Sequence, residues 1–253
     1  MIDSHCHLDL AAFDEDRESV IRRSEQAGIN RFLIPGTTPS GWQQQRQLQQ
    51  QYPHIDLAFG LHPYFDKAMQ PEALSQLKQC LQQHHQCIVA VGEIGLDATV
   101  PTPMKIQQNL LAQQLELATE YRLPVILHHR KSHHLLQQAL KQQNFSHGGI
   151  IHAFSGSQQV AESYIERGFL LGVGGTITYE RASKTRQALG AIALDNMVLE
   201  TDSPDMPVAG HQGQRNTPER LPVIAKALST LLETSVDKVL TQTTANYRRL
   251  FFG

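Results

Sequence analysis

The chain has 253 residues, of which 40% are hydrophobic and 18% charged, with a formal net charge of −2 at pH 7. That length is about what an eight-unit α/β barrel needs as one domain, and the apolar content is enough to bury a core. The near-neutral charge excludes a global basic field for coating long nucleic acid, and leaves room only for a local basic patch.

In chain order, short apolar runs near 2–6, 31–35, 55–60, 87–93, 124–129, 149–153, 169–174 and 197–201 read as strands. Helical periodicity occupies the stretches between and after them, near 14–27, 39–51, 71–85, 104–121, 132–143, 157–167, 183–192 and 218–232. A further helix is expected near 235–249. Strands joined by crossover helices imply a parallel sheet, and runs such as IVAV, VIL and MVL lack alternation, as strands covered on both faces do. Eight such units favour a closed TIM-like (β/α)8 barrel with an additional C-terminal helix over an open doubly wound sheet. No composition break divides the chain, so residues 1–253 are expected to form a single domain.

In the glutamine-rich stretch WQQQRQLQQQ, Trp42, Gln45, Leu48 and Gln49 share a helical face, and the remainder reads as solvated surface. The polar segment 202–217 is long for a connection in a compact domain, and such loops are usually functional. The opening MIDSHCHLDL lacks the charged and apolar regions of a secretory signal, and no apolar run approaches the roughly 20 residues of a membrane span. Cys6, Cys80 and Cys87 are too few and wrongly spaced for a disulfide framework or a zinc knuckle, so a reducing cytoplasm is expected.

The chemistry-bearing residues recur at strand ends. His5 and His7 are two apart, so in an extended segment both imidazoles face one side and Cys6 the other. Glu93 ends IVAVGE, His128 ends PVILH, His152 ends GIIH, and Asp202 ends MVLETD. Barrel enzymes build their sites on this C-terminal rim. Burying so many polar groups at equivalent positions without a shared purpose would be costly. Four histidines and two carboxylates exceed what one tetrahedral ion requires, and suit two divalent ions about 3.5–4 Å apart with a bridging carboxylate. Glu93 is the expected bridge, because the fourth strand supplies a carboxylate and contains no lysine to carbamylate. Zinc, manganese and iron fit this donor set, with magnesium less comfortable beside histidine.

At this point the chain resembles the TatD-type family of metal-dependent hydrolases, in the amidohydrolase-like barrel superfamily. The matching motifs are DSHCHLD at 3–9, GLHP at 60–63, GEIGLD at 92–97, LPVILHHR at 123–130, HAFSG at 152–156, ETDSP at 200–204, RNTPERLP at 215–222 and TTANYRRLF at 243–251. GVGGTITYERASKTR at 172–186 resembles the YjjV-like branch. The resemblance implies that His5, His7, Glu93 and Asp202 hold one metal ion and that Glu93, His128 and His152 hold the second. It implies phosphodiester hydrolysis, deoxyribonuclease activity above all, with Asp202 also orienting or deprotonating the attacking water. The chain departs from the family at HHRKSHHLL, where a carboxylate often follows the arginine and here none does.

Around these residues, His62 either contacts the substrate phosphate or caps its loop, Arg130 is a cation placed to meet a phosphate, and Lys131 reads as a solvated loop charge. Asp97 reads as a partner for a histidine ligand or as a loop cap. Arg181, Lys184 and Arg186 read as a solvated helix face, and Arg215 and Asn216 as substrate-side residues of the long loop. Tyr64 and Phe65 are core aromatics or a stacking platform for a base. The expected partner is DNA or a small phosphodiester, acted on by a monomer. An amide or lactone hydrolase would use the same centre, because ligands specify the metal and loops the substrate. A non-catalytic metal-binding protein would have lost a ligand, whereas all six are intact. A polymerase-and-histidinol-phosphatase-type barrel would end in Asp-x-His, where this chain has Asp202-Ser203-Pro204.

Overall fold

The computed structural model describes residues 1–253, the side chain of Asp66 excepted. Its strands are β1 (Ile2–Asp3), β2 (Arg31–Pro35), β3 (Ile55–Phe59), β4 (Ala90–Asp97), β5 (Val125–Arg130), β6 (Gly149–Ile151), β7 (Phe169–Val173) and β8 (Met197–Leu199). The helices are α1 (Arg17–Gln26), α2 (Pro39–Gln51), α3 (Ala73–His84), α4 (Met104–Glu120), α5 (His133–Gln142), α6 (Gln158–Ile165), α7 (Ser183–Gly190), α8 (Leu221–Leu231) and α9 (Val236–Phe252). The eight strands form one sheet in the order β1 to β8, a TIM-like (β/α)8 barrel with α9 as the additional C-terminal helix. Among the described residues no helix is long and apolar enough to cross a membrane.

The chain divides into two compact units, residues 1–34 with 153–253, and residues 35–152. In the first, β1 pairs with β2 and β7 with β8, all parallel. α8 buries Leu221, Ile224, Ala225 and Leu228, the spacing of one helical face. α9 buries Val239, Thr243, Asn246 and Tyr247, and Asn246 Nδ2 donates 2.8 Å bonds to the carbonyls of Leu194 and Met197 at the start of β8. Ser157 and Ser235 cap α6 and α9 by accepting the N–H three residues on.

In the second unit β3, β4, β5 and β6 pair in parallel sequence. The fourth strand differs from expectation. It starts later and runs through Asp97, and its pairing with β5 shifts register between Val91 and Ile94. Glu93 therefore lies at a bulge inside the strand, where the extra residue re-aims its side chain. Gly95, at φ +153°, faces His128 at this point, and a Cβ there would strike the His128 carbonyl. Only glycine permits so close an approach.

β1 is also shorter than expected and stops at Asp3, before the histidine pair. Residues 4–7 nonetheless keep an extended path. Ser4 N–H bonds to Leu199 O, Cys6 N–H to Leu33 O, and His7 N–H to Ser203 O, at 2.8–3.0 Å.

Candidate metal centre

The first unit carries one cluster. His5 Nε2 and His7 Nε2 are 3.1 Å apart, and Asp202 Oδ1 lies 3.5 Å from the former and 3.7 Å from the latter. Metal–ligand bonds of roughly 2.0–2.1 Å in a tetrahedral arrangement set ligand atoms about 3.4 Å apart. The three donor atoms therefore fit one shared ion. Cys6 points away, its Sγ 3.8 Å from Leu33 O, and burial pushes its thiol pKa well up. It is no candidate ligand.

Asp202 is held by its backbone. Its φ is +56°, its N–H donates 2.9 Å to His5 O, and Asn216 Nδ2 bonds to the neighbouring Thr201 O at 2.9 Å. Asp3 binds the same corner from the other side. Its Oδ2 accepts from Thr201 Oγ1 at 2.6 Å, and its Oδ1 from Thr201 N at 3.0 Å and His5 N at 3.3 Å. Asp3 is fully buried, and that burial pushes its pKa up to about 8 against the opposing hydrogen bonds. Glu200, also fully buried, accepts from Ala153 N–H at 2.5 Å and lies against Gly172.

The second unit carries the other cluster, centred on Glu93 Oε1. His62 Nε2 lies 3.2 Å from it, His128 Nδ1 3.3 Å and His152 Nε2 3.4 Å. His128 Nε2 lies 3.1 Å from Asp97 Oδ2, while Thr99 N and Oγ1 saturate Asp97 Oδ1 at 2.7 and 2.6 Å. This is the carboxylate–histidine arrangement that fixes a ligand's tautomer and orientation, leaving Nδ1 for a metal. Burial pulls the His128 pKa down, but hydrogen bonds with Asp97 and Glu93 outweigh it and hold the pKa above its usual value. At Asp97 burial pulls upward, and the bonds from His128 and Thr99 reverse it to leave the carboxyl well below its usual range. Without metal, the two carboxylates thus favour the protonated form of His128.

His62 differs from the other two histidines of this cluster. Its Nδ1 accepts the Tyr64 N–H at 3.1 Å, so the neutral ring carries its proton on Nε2, the atom facing Glu93. A protonated nitrogen cannot ligate a metal, so His62 offers a hydrogen-bond donor at that point. Two α4 glutamines set this geometry. Gln114 bonds both N–H and C=O of Leu61, and Gln107 both those of Asp97, at 2.8–3.2 Å. They are seven residues apart, on one helical face.

The expected secondary residues separate clearly. Arg130 is exposed at the end of β5. Arg215 forms a bidentate pair with Asp16 at 2.7 and 2.8 Å, so it ties the long loop to the start of the chain. Asn216 is buried beneath Asp202 rather than facing substrate. Arg186 bonds to the Ile177 carbonyl and Arg181 stacks on Tyr179. Sequence reasoning missed Asp3, Glu200, Gln107 and Gln114 as supports of the clusters. Only the first two carried a signal, being acids inside the DSHCHLD and ETDSP motifs.

An eight-stranded barrel with histidine–carboxylate clusters at its strand ends defines a metal-dependent hydrolase, and comparison with known proteins agrees. The family model described as TatD related DNase matches residues 2–252, and the chain belongs to that family. The chain is 41% identical to an uncharacterized metal-dependent hydrolase, YjjV, of Escherichia coli K12, covering 99% of this chain and 97% of that protein. The crystal structure of the Escherichia coli K12 YjjV, a TatD homolog, superposes with a TM-score of 0.95 over 99% of this chain and 97% of that one. The chain is 30% identical to the Salmonella typhimurium 3′-5′ ssDNA/RNA exonuclease TatD, covering 99% of this chain and 98% of that protein.

Proposed function

We propose that the chain is a phosphodiesterase of the deoxyribonuclease type, acting on single-stranded nucleic acid or a small nucleotide-like phosphodiester. The carrying observation is the pair of clusters in which carboxylate and imidazole donor atoms stand 3.1–3.7 Å apart, at ligand-sharing distances. Both clusters follow strands of one parallel sheet, and in this reading they form one binuclear centre. His5, His7, Asp202 and Glu93 would hold one divalent ion, and Glu93, His128 and His152 the other, with Glu93 as bridge. The imidazole-rich set favours zinc, manganese or iron over magnesium. When bound, the ions supply Lewis-acid polarisation of the phosphoryl group and a water acidic enough to attack at neutral pH.

The chain's own groups do the rest. Asp202 orients the attacking water and takes its proton, using the second oxygen of a carboxylate whose first faces the histidine pair. Once Glu93 is committed to the ions, the Nε2–H that His62 otherwise points at it becomes free to meet a phosphate oxygen, and Arg130 supplies a cationic contact from the exposed end of β5. The enzyme works as a monomer in the cytoplasm, a placement consistent with three free thiols at Cys6, Cys80 and Cys87. The test is metal content together with hydrolysis of bis-p-nitrophenyl phosphate, a lactone and an amide, by the wild type, Glu93→Ala and Asp202→Ala. Near two metal equivalents, phosphodiester turnover and its loss in both variants are expected. Metal binding with turnover of the lactone or amide instead would overturn the nuclease reading.

A further inference from the structure

An open cleft of about 790 Å³ lies between α2 and α3. Its walls include Gln43 and Arg46 from α2 and Gln76, Gln79 and Gln83 from α3, with Lys67 from the turn before α3. Trp42 and Ala73 add apolar surface, and Glu72 adds one acid. Gln43 reads from sequence as solvated surface, yet the helices gather it with three α3 glutamines around two cations.

The two cations stand without a carboxylate partner, as many of the chain's lysines and arginines do, and what distinguishes them is their place on the cleft wall. Arg17, Arg23 and Arg215 each pair with a carboxylate at 2.5–2.7 Å. Neither Arg46 nor Lys67 has an ion-pair partner among the described residues. Arg46 instead donates to His84 Nε2 at 2.7 Å, and burial together with Arg46 itself lowers the His84 pKa. An arginine held by an imidazole keeps its full charge and most of its planar donor fork, which is suited to phosphate. Glutamine amides offer both donors and acceptors to base edges and sugars.

The cleft is also near the Glu93 cluster along the chain. From His62 to Lys67 is five residues, at most about 18 Å even if fully extended. Tyr64 stands on that path with 63% of its surface exposed, its ring 5.3 Å from Phe65, which in turn lies 5.7 Å from His62. An exposed ring so placed offers a stacking face to a base.

We propose that the α2–α3 cleft carries the non-scissile part of a single-stranded nucleic acid. Lys67 and Arg46 each neutralise a backbone phosphate, the glutamines line the bases, and Tyr64 stacks a base between cleft and reacting phosphate. This rests on the phosphodiesterase reading above. Because that span is at most about 18 Å, a strand of a few nucleotides reaches from the reacting phosphate to the near edge of the cleft, and a 12-mer fills it.

The test is fluorescence anisotropy of a 5′-labelled oligothymidylate 12-mer in EDTA, titrated with salt. The proteins compared are the wild type, Arg46→Ala/Lys67→Ala, and Lys141→Ala as an exposed-lysine control on α5. The wild type should bind the 12-mer about tenfold more tightly than a trimer competitor. The double variant should lose that advantage, and its log–log salt slope should fall by about 1.4, the value for two phosphates on a single strand. Arg46→Lys with Lys67 intact should keep the slope. A double variant matching the wild type in affinity and slope overturns the proposal, and so does a wild type that binds no 12-mer. Because binding is read without metal or turnover, failure to hydrolyse any phosphodiester would remove the activity reading while leaving the cleft to be decided by its own data.

Discussion

Replacing Thr201 with valine keeps the branched shape and removes a hydroxyl that bonds to Asp3 and also meets Ser203 Oγ at 3.1 Å and Ser203 N–H at 3.3 Å, so the pH-dependent part of its effect reports the Asp3 bond. That bond is 2.6 Å long, and both residues are fully buried. Asp3 has a folded pKa of about 8 against an ordinary carboxyl value of 3.8. Between those values the folded chain holds a proton that the unfolded chain releases. The stability this proton contributes is complete below 3.8 and is lost as pH rises through about 8. Above pH 8 the buried anion depends on its donors, and a hydrogen bond to a charged group contributes about 1.5–3 kcal/mol. Near pH 6 the acid is neutral and the same contact contributes about 0.5–1.5 kcal/mol. Thr201→Val should therefore cost about 2 kcal/mol at pH 9 and about 1 kcal/mol at pH 6. For 253 residues, an unfolding entropy of about 0.5 kcal/mol/K converts the larger cost into a drop of about 4 °C in Tm. Urea and thermal melts of the metal-free protein at the two pH values measure it. Equal losses at both, or a loss below about 0.5 kcal/mol at pH 9, would refute the assignment of the burden to Asp3.

Asp97→Asn replaces the carboxylate that orients His128, and should weaken metal binding by about 10–100-fold in chelator competition, with little change in fold by circular dichroism. Metal binding must displace the proton that the raised pKa of His128 retains, so affinity should fall as pH drops through that pKa. Calorimetry in buffers of different ionisation enthalpy should detect the released proton, and buffer-independent heats would contradict it. Gly172→Ala would drive a Cβ into the Glu200 carboxylate and should cost about 1–3 kcal/mol in urea melts. Stripping metal with a chelator should abolish hydrolysis, and restoring it should recover the rate.

Much of this architecture was readable before any coordinates, for identifiable reasons. α2 starts and stops where periodicity placed it, because Pro39 supplies an N-terminal proline and Trp42, Gln45 and Leu48 bury on one face. Glu93, His128, His152 and Asp202 stood out because each ends an apolar run, and His5 and His7 through their two-residue spacing. The errors arose where tertiary contacts override local pattern. β1 ends two residues before His5, since its continuation is held by single bonds to flanking segments rather than by a regular ladder. β4 continues past Glu93 because the bulge absorbs the break in register. Gln107 and Gln114 were hidden for a compositional reason: in a chain this rich in glutamine, nothing local separates a structural amide from a solvated one.

His5 and Asp202 stand 197 positions apart in the chain, yet the backbone N–H of one bonds to the carbonyl of the other. Closing a loop of that size costs about 4.7 kcal/mol plus a constant in chain entropy. During synthesis at about 5–20 residues per second, the histidine pair exists for roughly 10–40 s before its carboxylate has been made. The emerging polypeptide thus displays two imidazoles that any passing metal can reach but that lack the carboxylate to complete this ligand set. In the proposed centre the ligand set is incomplete until the last fifth of translation, and a chain cut short before Asp202 cannot assemble the cluster.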